Sequence, residues 1–294
     1  MDDSRDVMVP EHARFQSVAP RNAMSCDVEE FFQVAAFERQ IRRDDWARYP
    51  SRVEYNTGRV LDLFAAKGIR ATFFVLGWIA ERHGALVRRI VDEGHELASH
   101  GYDHTRVVTM DPARFREDVT RTKRILEDVG GVAVRGYRAP SYSIGADNLW
   151  ALDVLQETGH LYSSSIYPIR HDLYGMPEAP RFAFRVRSTA ILEIPVTTVE
   201  WAGNKLPAGG GGYFRLLPYP VFRWCLRRVN DRDRQPGIFY FHPWEVDADQ
   251  PRVATAPLRS RFRHYVNLRT MEARLARLLD DFGWDRIDTV FGIE

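Results

Sequence analysis

Two histidines stand four residues apart in Ser99-His100-Gly101-Tyr102-Asp103-His104. On one helical turn that spacing lets two imidazoles share one metal ion. A metal ion that does chemistry keeps an open position beside two or three protein ligands. A hydrolytic site built on the pair also needs a carboxylate, a base, an acid and a charge to hold the base. Asp27, Glu29 and Glu30 place three carboxylates within four residues, and these repel one another unless a cation is near. Their plain alternative is a solvated loop or a helix N-terminus, where acids are favoured. Arg138 and His242 complete the set, each at the end of a stretch that reads as a strand.

The elements that must position these residues alternate. Residues 22–26 read as a buried strand that ends at the acids. Val53, Val60, Leu61, Leu63 and Phe64 predict a helix over 52–67, stopped by Gly68. Residues 71–76 form a continuous apolar, β-prone run, as in a strand buried on both faces. A helix over 84–92 stops at Gly94, and a strand over 95–99 ends at the histidine pair. Asp111-Pro112 starts the next helix as N-cap and N1, with Gly130-Gly131 stopping it. A strand over 132–138, a helix over 147–157 and a strand over 161–166 follow. Residues 170–190 lack a period and read as a loop over one end of the domain. A strand over 191–196, a flexible glycine turn over 208–214, a helix over 220–230 and a strand over 237–241 lead to His242. A helix over 270–282 and a strand over 286–290 close the chain. Alternation of this kind predicts parallel strands with right-handed crossovers, an α/β architecture. All the candidate residues follow strands, which in a parallel barrel puts them at one mouth.

The bulk properties exclude other classes. The 294 residues are 45% hydrophobic and 28% charged, as in a soluble globular chain with a large core. A net charge of +1 gives no sign of nucleic acid or an anionic membrane as partner. Cys26 and Cys225 make no disulfide framework. No apolar run is long enough to span a membrane. The acidic N-terminus lacks the basic and apolar regions of a signal peptide, so the expected location is cytoplasmic. Residues 1–20 read as a disordered tail and 21–294 as one domain, since no internal boundary interrupts the rhythm.

Cys26-Asp27-Val28-Glu29, Ser99-His100 with His104, Arg138-Ala139-Pro140-Ser141 and Tyr240-Phe241-His242-Pro243 resemble, in order, the motifs of the NodB-homology polysaccharide deacetylases, carbohydrate esterase family 4. The runs over 71–78, 94–104, 241–245 and 260–267 look most like the branch associated with exosortase/PEP-CTERM exopolysaccharide loci. The resemblance covers roughly residues 22–290. It implies a distorted (β/α) barrel of about seven strands and a divalent metal, usually zinc. By the same resemblance Glu29, His100 and His104 are the metal ligands and Asp27 is the general base. Arg138 would hold the base charged, His242 would be the general acid and the Ser141 N–H would face the oxyanion. The implied reaction removes N-acetyl groups from GlcNAc-type units of a polysaccharide or its precursor, in exopolysaccharide biosynthesis. A cyclic amide or imide hydrolase on the same barrel, and a carbohydrate-binding protein without turnover, are the alternatives.

Trp78, Tyr142, Trp201, Tyr213 and Trp244 are candidates to floor a sugar site, or else to pack near the barrel mouth. Three departures from the family pattern stand out. Cys26 replaces an aliphatic residue, which fits a small buried hydrophobe. Glu30 replaces a shorter acid, which leaves open whether Asp27, Glu29 or Glu30 meets the metal. Ser163 stands where the family has Asp; if that carboxylate normally orients the acid histidine, the enzyme would be slower or would use another acid, for which Glu193 is a nearby candidate, or else a strand-end charge.

Overall fold

The computed structural model describes residues 8–10, 20–172, 174–186 and 189–294. Seven parallel strands form its centre: β1 (Asn22–Val28), β2 (Thr72–Val75), β3 (Glu96–Ser99), β4 (Gly136–Tyr137), β5 (Tyr162–Ser163), β6 (Leu192–Glu193) and β7 (Ile238–Phe241). Their order across the sheet is β6-β5-β4-β3-β2-β1-β7. No strand ladder joins β6 to β7. Instead Thr197 and residues 208–210 bridge the gap, through Ala208 N–H to Thr197 O, Tyr240 N–H to Gly209 O and Ile238 N–H to Thr197 Oγ1. The sheet is thus a curled half-barrel, the distorted (β/α) barrel expected.

Strand register decides which side chains enter the barrel. In β1, Met24, Cys26 and Val28 pack outward against the helices, in one core with Phe64, Phe73 and Phe241. The alternate residues Ser25 and Asp27 therefore face Arg138 inside the barrel, and both bond to it. In β2 the same alternation sends Phe73 outward and Phe74 under the Arg138 guanidinium, 4.0 Å from its ring centre. Cys26 is buried and free, as a small hydrophobe would be.

The helices obey their sequence signals. Val53–Lys67 ends at Gly68, whose φ of +62° is the left-handed stop. Pro112–Gly130 begins at Asp111, whose side chain accepts from the Arg114 N–H. Among the described residues, no helix is long and apolar enough to cross a membrane.

Several elements differ from expectation. The strand expected over 286–290 is a helix, Ile287–Phe291, preceded by a two-residue strand at Trp284–Asp285. The Arg286 guanidinium pairs with Asp288 there, and Gly292 ends the turn with a φ of +62°. Within the loop expected over 170–190, Phe184–Val186 is a strand paired antiparallel with Met8–Pro10. That pairing also draws part of the expected tail into the sheet; residues 1–7 and 11–19 lie outside the described residues. The glycine turn expected over 208–214 runs into a helix, Gly211–Leu216.

At the N-terminal end of the barrel Glu96 is buried. It accepts from Thr72 Oγ1 at 2.5 Å, Tyr162 Oη at 2.8 Å and Asp288 N–H at 3.2 Å. Burial, with the charge of Asp288 beside it, pushes its carboxyl from 4.5 up to about 7. Between those values the folded chain holds this proton more tightly than the unfolded chain, so rising pH costs stability. Urea unfolding should show stability falling as pH rises from about 4.5 to about 7. Glu96→Gln should flatten that slope.

Candidate functional site

Every chemical residue singled out in the sequence sits at or just beyond the C-terminal end of a strand. Asp27 and Glu29 belong to the end of β1, His100 and His104 follow β3, Arg138 follows β4 and His242 follows β7. Three of these donors meet. Ligand atoms of Glu29, His100 and His104 all lie within 4.8 Å of one another, and Glu29 Oε2 is 2.9 Å from His104 Nε2. The histidines do not share a helical turn as their spacing predicted. They converge through a loop in which Gly101 and His104 are left-handed, with φ of +75° and +58°. That loop is tied down by Gly101 O and Tyr102 O, which accept from the N–H groups of Gly77 and Trp78. A non-glycine residue held at positive φ is strained, as occurs where geometry serves function.

The cluster fits a divalent ion. His100 Nδ1 donates to the Arg138 carbonyl at 2.8 Å, which leaves Nε2 as the free lone pair. Burial lowers the His100 pKa to about 4, so the ring is neutral, as a ligand must be. Burial opposes the Glu29 charge, yet His104, His242 and His100 hold its carboxyl at about 2. Two imidazole nitrogens and one carboxylate oxygen are a common zinc donor set, with a fourth position open in catalytic sites.

Beside this cluster Arg138 is wholly buried and spans the barrel. Its guanidinium bonds Asp27 Oδ1 at 2.6 Å and Ser25 Oγ at 2.8 Å on one wall. On the other it bonds Ser164 O at 3.0 Å and Ser164 Oγ at 2.9 Å. The run Tyr162-Ser163-Ser164-Ser165 therefore supports Arg138. Glu193 accepts from the N–H groups of Ser165 and Ile166, both at 2.8 Å, and burial raises its pKa. Glu193 thus serves the loop after β5, and the carboxylate bonded to His242 is another one.

That carboxylate is Glu245. Its Oε1 accepts from His242 Nδ1 at 2.8 Å and from the His242 N–H at 3.0 Å. Its Oε2 accepts from Arg215 Nε at 2.7 Å, with both side chains buried. His242 Nε2 points the other way, 3.5 Å from Glu29 Oε1. Burial disfavours the imidazolium, but Glu29 and Glu245 raise the His242 pKa to about 9. Sequence reasoning passed over both partners. Glu245 carried a signal, since it lies three residues beyond His242 at a turn start; Arg215, next to a glycine run, carried none.

Glu30 is not part of the cluster. Its oxygens accept from Ser51 Oγ and from the N–H groups of Arg52 and Val53 at the start of the helix Val53–Lys67. The extra methylene of Glu30 reaches a helix N-terminus, where an anion is favoured.

A cavity of about 390 Å³ opens over the cluster, lined by Ser141, Tyr142, Tyr174, Tyr213, Tyr240 and Trp244 among others. Ser141 and Tyr142 are both left-handed, with φ of +54° and +51°. Trp244 Nε1 donates to Glu29 Oε1 at 3.1 Å, so it also fixes the carboxylate. Of the aromatics expected to floor a sugar site, Trp78 instead packs edge-on against Trp46 and Phe32. Trp201 is exposed on the hairpin of Thr198–Trp201 and Asn204–Pro207, against Trp224.

A curled sheet of seven parallel strands with its polar residues gathered at the C-terminal mouth defines a fold of the NodB-homology type. The likeness to solved structures agrees. A crystal structure from Mycobacterium smegmatis assigned to the polysaccharide deacetylases superposes with a TM-score of 0.62 at 19% identity, over 95% of this chain and 91% of that one. Residues 44–162 match the polysaccharide deacetylase family, and residues 164–292 match a domain of unknown function, DUF3473. The chain is matched by each of these two families over less than half of its length. It is 33% identical over 98 residues to a peptidoglycan-N-acetylglucosamine deacetylase of Bacillus cereus, covering 33% of this chain and 36% of that protein. It is 36% identical over 100 residues to a chitooligosaccharide deacetylase of Bradyrhizobium, covering 34% and 43%. The matched stretch thus spans well under half of these relatives.

With both oxygens of Glu30 occupied by residues 51–53, Glu30→Ala should lower stability by about 1–2 kcal/mol in denaturant unfolding. Metal uptake should stay unchanged in that variant.

Proposed function

We propose that this protein is a metal-dependent N-deacetylase acting on GlcNAc-type units of a polysaccharide or its precursor. The observation that carries the reading is the buried meeting of Glu29, His100 and His104 directly beside the Asp27–Arg138 pair. Glu29, His100 and His104 would hold the ion, with zinc the natural choice for two imidazoles and a carboxylate. When bound, such an ion polarises the amide carbonyl and acidifies a water molecule.

The remaining steps belong to the chain's own groups. Asp27, held in place by the Arg138 guanidinium, accepts a proton from the attacking water as the new C–O bond forms. The Ser141 N–H, in its left-handed turn at the cavity wall, faces the oxygen that gains charge. His242 Nε2–H gives its proton to the amine nitrogen as the C–N bond breaks, releasing acetate and a free amino sugar. An amine leaves poorly unless protonated, and the raised His242 pKa keeps that proton available near neutrality. The aromatic cavity wall, Tyr142 and Trp244 included, suits the apolar faces of a pyranose ring. The finer placement within exopolysaccharide biosynthesis is supported by the four near-verbatim runs in the sequence.

Acetate release from N-acetylglucosamine oligomers should be abolished by a chelator and restored by zinc or cobalt. Asp27→Asn and His242→Ala should each lower kcat by about 10²–10⁴-fold, as loss of a general base or acid does. His100→Ala should lose bound metal by elemental analysis. Unchanged metal content in that variant, or full activity in Asp27→Asn, would sink these assignments. Hydrolysis of cyclic imides with no release from any N-acetylated sugar would assign the alternative substrate class.

A further inference from the structure

We propose that Glu245 and Arg215 are a positioning pair for His242, taking the place of the carboxylate missing at Ser163. The inference rests on the reading of His242 as the proton donor and adds what aims it. His242 lines the cavity, and of its two ring nitrogens Nε2 lies toward Glu29 while Nδ1 lies on Glu245. The ring delivers a proton from Nε2 repeatedly only if Nδ1 keeps its own. Glu245 Oε1, 2.8 Å from Nδ1, is an acceptor there and so holds Nδ1 as N–H throughout. The same oxygen accepts from the His242 backbone N–H, so ring and backbone are referenced to one point.

Glu245 is itself held. Arg215 Nε meets Glu245 Oε2 at 2.7 Å, and the rest of its guanidinium bonds the carbonyls of Arg263, His264 and Val266. Those carbonyls anchor a cation that cannot relax toward solvent. The helix Gly211–Leu216 carries Arg215 to this place, and Gly211 makes the approach possible. A Cβ there would clash with the Glu245 carboxylate oxygens. The stack of His242 on Trp244 at 5.0 Å, and of Trp244 on His264 at 4.1 Å, closes the other side of the ring. Two arginine-anchored carboxylates therefore flank the metal cluster, Asp27 with Arg138 and Glu245 with Arg215.

The test compares an amide with an ester whose leaving group needs no proton. In the zinc-loaded full chain, Glu245→Gln should lower kcat on N-acetylglucosamine oligomers about 100-fold or more with KM little changed. Hydrolysis of 4-nitrophenyl acetate should stay within about threefold of the wild type, because 4-nitrophenolate leaves as a stable anion. Gly211→Ala, which displaces the carboxylate without removing either charge, should show the same selective loss. Equal losses on both substrates, or full amide activity in Glu245→Gln, would overturn the pairing. A direct reading needs no turnover and no variant: the wild-type protein should show a low-field His242 Nδ1–H proton resonance. Its absence overturns the proposal even if Glu245→Gln fails to fold. A wild type that releases no acetate from any sugar yet shows this resonance overturns the deacetylase reading and leaves the pair standing.

Discussion

The barrel depends on a cation it can hardly afford to bury. Arg138 is shut off from water in the centre of the sheet, and an unpaired guanidinium there would cost several kcal/mol. Its position is tolerable because β1 supplies Asp27 and Ser25, the loop after β5 supplies Ser164, and β2 supplies the face of Phe74. Each of these partners must come from a different part of the chain. The sheet order that brings β1, β2, β4 and β5 into one curled layer is therefore a condition for the charge, and the charge in turn fixes the wall of the site.

Arg138 also sets the electrostatics on both sides of itself. Its side chain holds Asp27 while its backbone carbonyl accepts from His100 Nδ1. One residue thus holds the carboxylate proposed as base and fixes the tautomer of a proposed metal ligand. Across the mouth the carboxylate of Glu29 is shared between His104, Trp244 and the approach of His242. Burial opposes the charges of Glu29 and His242, and each is upheld by the opposite charges beside it. This is a preorganised polar site, in which the cost of desolvation is met during folding rather than during reaction.

Local chemistry in the sequence carried much of this. The apolar run at 71–76, the N-cap at Asp111 and the stop at Gly68 read out as the elements they become, because short-range sterics and hydrogen bonding decide them. Strands β4, β5 and β6 are only two residues long, shorter than their apolar stretches suggest, since flanking residues pack without laddering. The glycine run before Phe214 reads as a flexible turn but opens the helix Gly211–Leu216. Gly211 is there to let that helix approach a carboxylate more than thirty residues downstream. Nothing local distinguishes a glycine kept for mobility from one kept for close packing.

Residue types and order alone determined that His100, His104, Asp27, Glu29, Arg138 and His242 follow strands, and hence that a parallel barrel would gather them at one mouth. Only the tertiary structure decided how they meet. A left-handed loop, not a helical turn, joins the histidines. Glu29 enters the cluster while Glu30 turns away to a helix N-terminus. Glu245 on Arg215, not Glu193, receives His242. These choices turn on distances of a few ångströms between segments far apart in the chain. Such distances are set by packing and by the pairing of buried charges, which no local pattern encodes.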